Sequence, residues 1–110
     1  FICPQSRFAG LPDLEMEKAQ KEGKLNLLAY GENVGYTIFE SHDQKQLMHL
    51  GHPEYTVHRI ISEIERDKEK GDVPPPENFD ANSSKTSWRS HRNLLFQQWL
   101  WFCYQQVSLN

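Results

Sequence analysis

His52-Pro53-Glu54-Tyr55 is the stretch of this chain whose residue types and spacing can carry chemistry. An imidazole and a carboxylate two residues apart, straddling a rigid proline, can be held side by side. Glu54 would then accept a hydrogen bond from one ring nitrogen of His52, fixing its tautomer and leaving the other nitrogen to take a proton. A relay of this kind needs a nucleophile. Cys103 falls in the middle of an apolar helical pattern, where a thiol has no access. Cys3 lacks the glycine-flanked strand-to-helix turn that exposes a nucleophile. The bland alternative is a helix-entry pair in which Glu54 sits in the first turn and suits the helix dipole. On the bare pattern the structural reading is favoured.

Other constellations are weaker. Of the five histidines, His42, His49, His52, His58 and His91, none forms an HxH or HExxH pattern, which argues against a metal site. Arg59 and Arg66 lie seven apart on one helix face. Spacing alone favours a solvated arginine pairing with Glu63, although an arginine fork also suits a substrate carboxylate. Ser6-Arg7 lies in a proline-bounded loop, and Trp88-Arg89-Ser90-His91 reads as a helix start with Trp88 as a packing anchor.

The elements that must position these groups follow from periodicity and turn chemistry. Residues 1–8 read as a strand end and a loop, a piece cut from something longer. Asp13 can cap a helix over about 14–20, which Gly23 closes. Strand-like runs follow at about 25–30, 36–40 and 46–50. Gly31-Glu32-Asn33 and Ser41-His42-Asp43 separate them, so the strands should form an antiparallel meander that delivers His52. Val57, Ile60, Ile61 and Ile64 follow the i, i+3, i+4, i+7 rule and predict an amphipathic helix over about 55–70, ended by Gly71. Pro74-Pro75-Pro76 opens an irregular stretch to about Thr86. Ser87 can then cap a last helix over about 88–107, apolar nearly all round and therefore expected to be buried on several sides.

Composition bounds the reading. The chain has 110 residues, a hydrophobic fraction of 37% and a formal charge of -3, fitting one small domain and arguing against a nucleic-acid partner. The two cysteines at opposite ends form no disulfide framework. No apolar run reaches the roughly 18 residues a membrane span needs, and no signal peptide is evident. A cytoplasmic location is the expectation.

Taken together, the segments Gly51-His52-Pro53-Glu54-Tyr55, Arg66-Asp67, Ser87-Trp88-Arg89-Ser90-His91, Asn93-Leu94-Leu95-Phe96 and Trp99-Leu100 closely resemble the C-terminal part of homoserine O-succinyltransferases, some members of which transfer acetyl. Pro4-Gln5-Ser6-Arg7-Phe8 resembles the family's proline-His-Ser-Arg-aromatic segment. The resemblance implies an α/β fold of the class I glutamine amidotransferase-like type. It also implies a ping-pong Cys-His-Glu mechanism moving an acyl group from acyl-CoA to homoserine in methionine biosynthesis, with no bound cofactor. Carried over by position, His52 is the general base and Glu54 its orienting residue. Arg66 grips the amino acid's carboxylate, and Ser6 lines the substrate pocket.

The family's catalytic cysteine, its oxyanion-hole donors and the residue that tunes acyl-CoA choice lie upstream of anything matched here. The expected partners are therefore a missing N-terminal part, homoserine, acyl-CoA and a second copy in a homodimer. The chain departs from the family pattern at Gln5, where histidine is usual, and at Arg92, where glycine is. Residues 78–86 also lack an Asn-Asp-Pro signature. Two rival readings are a serine O-acetyltransferase of the same family, and a non-catalytic docking fragment.

Overall fold

The computed structural model describes residues 1–7, 9–80, 82 and 86–108, excluding the side chain of Ser108. Phe8, and residues 81 and 83–85 of the 78–86 stretch, lie outside the described residues. The described part divides into two compact units: residues 5–52, and residues 1–4 with 53–110. Each is taken by itself.

The first unit holds helix α1 (Asp13–Lys21) and strands β1 (Leu25–Gly31), β2 (Gly35–Ser41) and β3 (Leu47–His49). The strands form the expected antiparallel meander in the order β1-β2-β3. Asp13 does not cap α1. Pro12 occupies that position and its carbonyl accepts from Glu15 and Met16, which suits a residue with no N–H of its own to leave orphaned. Asp13 instead reaches the sheet. Asp13, Glu17 and Gln20 recur at helical spacing and meet the hairpin in turn. The Tyr30 hydroxyl donates to Asp13 Oδ2 at 3.2 Å, the Tyr36 hydroxyl to Glu17 Oε1 at 2.9 Å, and the Leu27 N–H to Gln20 Oε1 at 2.9 Å. Gly23 closes the helix as expected: it is left-handed at φ 74°, and the Lys24 N–H returns to the Ala19 carbonyl.

The β1–β2 hairpin turns through a Gly31–Val34 hydrogen bond followed by left-handed Gly35 (φ 75°). The register slips twice and recovers. Leu28 is extra on β1 and Thr37 on β2, so Leu27 faces Phe39, Ala29 faces Ile38 and Tyr30 faces Tyr36. Thr37, skipped by β1, accepts instead from the Leu50 N–H at 2.8 Å and so carries the β2–β3 pairing one residue past β3. Met16, Thr37, Ile38 and Phe39 are buried. Since successive strand residues point to opposite faces, both faces of β2 are covered. Burial of each of the large apolar side chains contributes about 1.5–3 kcal/mol.

The second unit holds α2 (Val57–Lys70) and α3 (Arg89–Ser108). Thr56 caps α2 by accepting from the Arg59 N–H at 3.2 Å, and left-handed Gly71 (φ 79°) ends it. Val57 is buried, and Ile60, Ile61 and Ile64 are half-buried along the expected stripe. At α3 the Trp88 carbonyl takes the first helical bond, from Arg92, so the helix enters one residue later than a Ser87 cap would set it. Residues 1–7 form no strand, contrary to expectation. The first residue belongs to this unit, and Phe1 stacks on His91 with ring centroids 4.0 Å apart. Burial pushes the His91 imidazole below its ordinary value, with the nearby N-terminal charge acting in the same direction.

The largest departure is α3 itself. Leu94, Phe96, Leu100, Trp101, Tyr104 and Val107 are exposed, Leu100 by 67% and Val107 by 76%. The all-round burial expected of an apolar helix is absent among the described residues, because no other described element of its unit packs along it. Trp99–Phe102 and Trp101–Tyr104 stack along the helix itself, at 5.5 and 5.7 Å.

Candidate functional site

The chain between β3 and α2 carries the His52 and Glu54 pair. Its entry is set by the sheet: Leu50 is hydrogen-bonded to Thr37, and the Gly51 N–H donates to His49 Nδ1 at 3.0 Å, which turns the backbone just after the strand. Gly51 is buried and His52, the last residue of its unit, is half-buried. His49 therefore serves its own turn through one ring nitrogen.

On the other side of the junction, Pro53 is buried and Glu54 is exposed within a turn. Glu54 lies two residues before the Thr56 cap, and the first turn of α2 contains no acidic residue. Glu54 therefore stands ahead of the helix rather than in its first turn, where the helix-dipole account places it. Tyr55, next to Glu54, is fixed at two points. Its carbonyl accepts from the Trp88 indole N–H at 2.7 Å, and its hydroxyl donates to Glu63 Oε1 at 2.8 Å. Arg59 lies over the Tyr55 ring at 5.6 Å and pairs with Glu63 at 3.3 Å. The Arg59–Glu63 pair expected from spacing is thus present, worth about 0.2–0.5 kcal/mol on an exposed helix. Desolvation, then the bond to Glu63, raises the Tyr55 phenol above its ordinary value.

Arg66 sits on the same helix, exposed, its Nε donating to Asp67 Oδ1 at 3.1 Å. Its fork keeps terminal nitrogens beyond that bond, as a carboxylate grip requires. Ser6 is exposed in the other unit, beside Arg7, whose Nη2 donates to the Val34 carbonyl at 2.7 Å. Among the described residues, Gln5 Oε1 and Arg7 Nη1 are buried without a hydrogen-bond partner, an acceptor and a donor flanking Ser6. Cys103 is half-buried in the middle of α3.

Sequence reasoning finds the Arg59–Glu63 pair but not that Tyr55 and Trp88 join it. The i, i+4, i+8 spacing of Tyr55, Arg59 and Glu63 was there to be read, but the Trp88 contact spans 33 residues and leaves no local signal.

A family model described as homoserine O-succinyltransferase matches residues 1–109. The chain belongs to that family. It is 40% identical to a homoserine O-succinyltransferase of Proteus mirabilis (strain HI4320), over 98% of this chain and 36% of that protein. It is 35% identical to a homoserine O-acetyltransferase of Agathobacter rectalis, over 97% of this chain and 36% of the relative. A homoserine O-acetyltransferase of Bacillus subtilis (strain 168) is 34% identical, again over 97% and 36%. The chain thus spans about a third of the length of these family members. Among the described residues no helix is long and apolar enough to cross a membrane.

Proposed function

We propose that this chain is the base-bearing part of a homoserine O-acyltransferase whose nucleophile lies in the portion of the family's length not matched here. The observation that carries the reading is the family match over residues 1–109, which takes in His52, Glu54, Arg66 and Ser6 together. Its three-strand sheet is then the C-terminal portion of a glutamine amidotransferase-like α/β domain. The whole protein would act in the cytoplasm, as a homodimer, in methionine biosynthesis.

The reaction uses no resident cofactor; acyl-CoA, carrying succinyl or acetyl, is the cosubstrate. His52 takes the proton of a cysteine supplied by the rest of the protein. The thiolate attacks the thioester carbonyl, and CoA leaves with a proton. Homoserine docks its carboxylate on Arg66, and Ser6 is carried over from the family as a substrate-pocket residue. His52, held by Glu54, then removes the hydroxyl proton as the oxygen attacks the acyl-enzyme, and the cysteine thiolate departs.

The test grafts residues 1–110 in place of the matching segment of the Proteus mirabilis relative. Free CoA released from succinyl- or acetyl-CoA is measured with homoserine or serine present. Homoserine-dependent release is expected, lost by about 10²–10⁴-fold in His52→Ala. Arg66→Ala is expected to raise KM for homoserine and not for acyl-CoA. A folded graft that transfers nothing, or that transfers equally well without His52, overturns the proposal.

A further inference from the structure

We propose that Trp88 is a positioning residue for this reaction: its indole N–H, bound to the Tyr55 carbonyl, holds in place the turn that presents Glu54. The inference rests on the reading that Glu54 orients the His52 base, and adds what orients Glu54.

Glu54 is exposed and sits in a turn outside any helix, two residues ahead of the Thr56 cap. The residues on either side are fixed. Pro53 is buried and its ring locks φ. Tyr55 is held through its carbonyl by Trp88 at 2.7 Å and through its hydroxyl by Glu63 at 2.8 Å. The two anchors differ in rigidity. Glu63 lies eight residues along α2 and is itself oriented by Arg59. Trp88 is 5% exposed, so its ring is fixed by packing, and it lies 33 residues away at the entry to α3.

A carbonyl bonded by a buried indole cannot rotate its peptide plane without stranding that N–H, which costs about 1–3 kcal/mol. That penalty resists rotation of the peptide following Tyr55, and with it displacement of the Glu54 backbone. A misplacement of reacting groups by about 1 Å can cost about 10²-fold in rate.

The experiment uses the same grafted protein. Trp88→Phe keeps an aromatic ring and removes the donor. It is expected to lower kcat by about 10²-fold while leaving KM for homoserine and for acyl-CoA within about twofold. Backbone amide exchange at Glu54 and Tyr55 is expected to accelerate, with the exchange of the β1–β2 ladder unchanged. A purely structural role would move exchange across the whole second unit and leave kcat per folded molecule intact. Wild-type kcat with unchanged exchange at Glu54 overturns the inference, as does a uniform loss of protection. If Trp88→Phe does not fold, exchange of the Trp88 indole N–H in the unsubstituted protein decides. Protection supports the anchor, and exchange at the rate of a free indole excludes it. Full activity of His52→Ala would instead sink the functional reading on which the anchor depends, and the exchange data would still report whether the turn is held.

Discussion

The two units obtain their order by opposite means. In residues 5–52 the helix is short and polar, yet three of its side chains bond the hairpin and Met16 is buried. In residues 53–110 the helices are longer, and α3 is among the most apolar stretches of the chain, yet six of its large side chains face outward. Apolar content therefore does not decide burial; the availability of a facing surface does. A sheet supplies that surface for α1. No described element of its own unit supplies one for α3, and an exposed apolar face of that extent ordinarily marks a contact surface. The family relation gives the contrast a physical setting, since about two thirds of the relatives' length has no counterpart in this chain.

Paired truncations test the contrast most sharply. Phe39→Ala in β2 is expected to cost about 3–5 kcal/mol, as removal of a buried aromatic does. Leu100→Ala in α3 should change the stability of this chain by no more than about 0.5 kcal/mol, since it removes no buried contact. Equal losses in urea titrations would show that α3 is covered in solution. In the grafted protein the second value should rise toward the first if the additional length packs on α3. A smaller effect is expected at the hairpin. Gly35→Ala combines a positive φ with a Cβ that would stand 2.7 Å from Asp13 Oδ1. A loss of about 1–3 kcal/mol follows, relieved in part by Asp13→Ala if the clash is real. No relief would assign the whole cost to the backbone.

Much of the fold was legible, and the exceptions share a cause. The three strands, their antiparallel order, the α2 stripe and the Gly23 and Gly71 stops all come from local rules, which operate within a few residues. The helix entries were misread by one residue at Asp13 and Ser87. In each case a neighbour took the cap position, Pro12 with its fixed φ in one and Trp88 in the other. The exposure of α3 was illegible because hydrophobicity states what a helix needs and not whether a partner exists. At the candidate site, spacing located His52 and Glu54 but weighed them as structural. The register of α2 places Glu54 ahead of the first turn that account assumes, while the Trp88 anchor joins positions 33 residues apart and has no local signal.

The finest comparison is at alkaline pH, where both units hold tyrosines against carboxylates. In the first unit, hydrogen bonds to Asp13 and Glu17 raise the Tyr30 and Tyr36 phenols above their ordinary value of 10.0. In the second, desolvation, then the bond to Glu63, raises Tyr55. A phenol raised in the folded state contributes stability that is complete below its unfolded value and is lost as pH climbs through the folded one, because the unfolded chain releases its proton first. Stability should therefore fall above about pH 10. The Tyr30→Phe, Tyr36→Phe double variant should flatten that decline by removing two of the linked protons. Tyr55→Phe should flatten it by the remaining share, and should also loosen the turn beside Glu54. Thermal melts across this range, read with a probe for each unit, separate the contributions. If the double variant declines as steeply as the parent, the two tyrosine–carboxylate bonds do not persist in solution, and the docking of α1 on the hairpin would have to rest on Met16 and the Gln20–Leu27 bond.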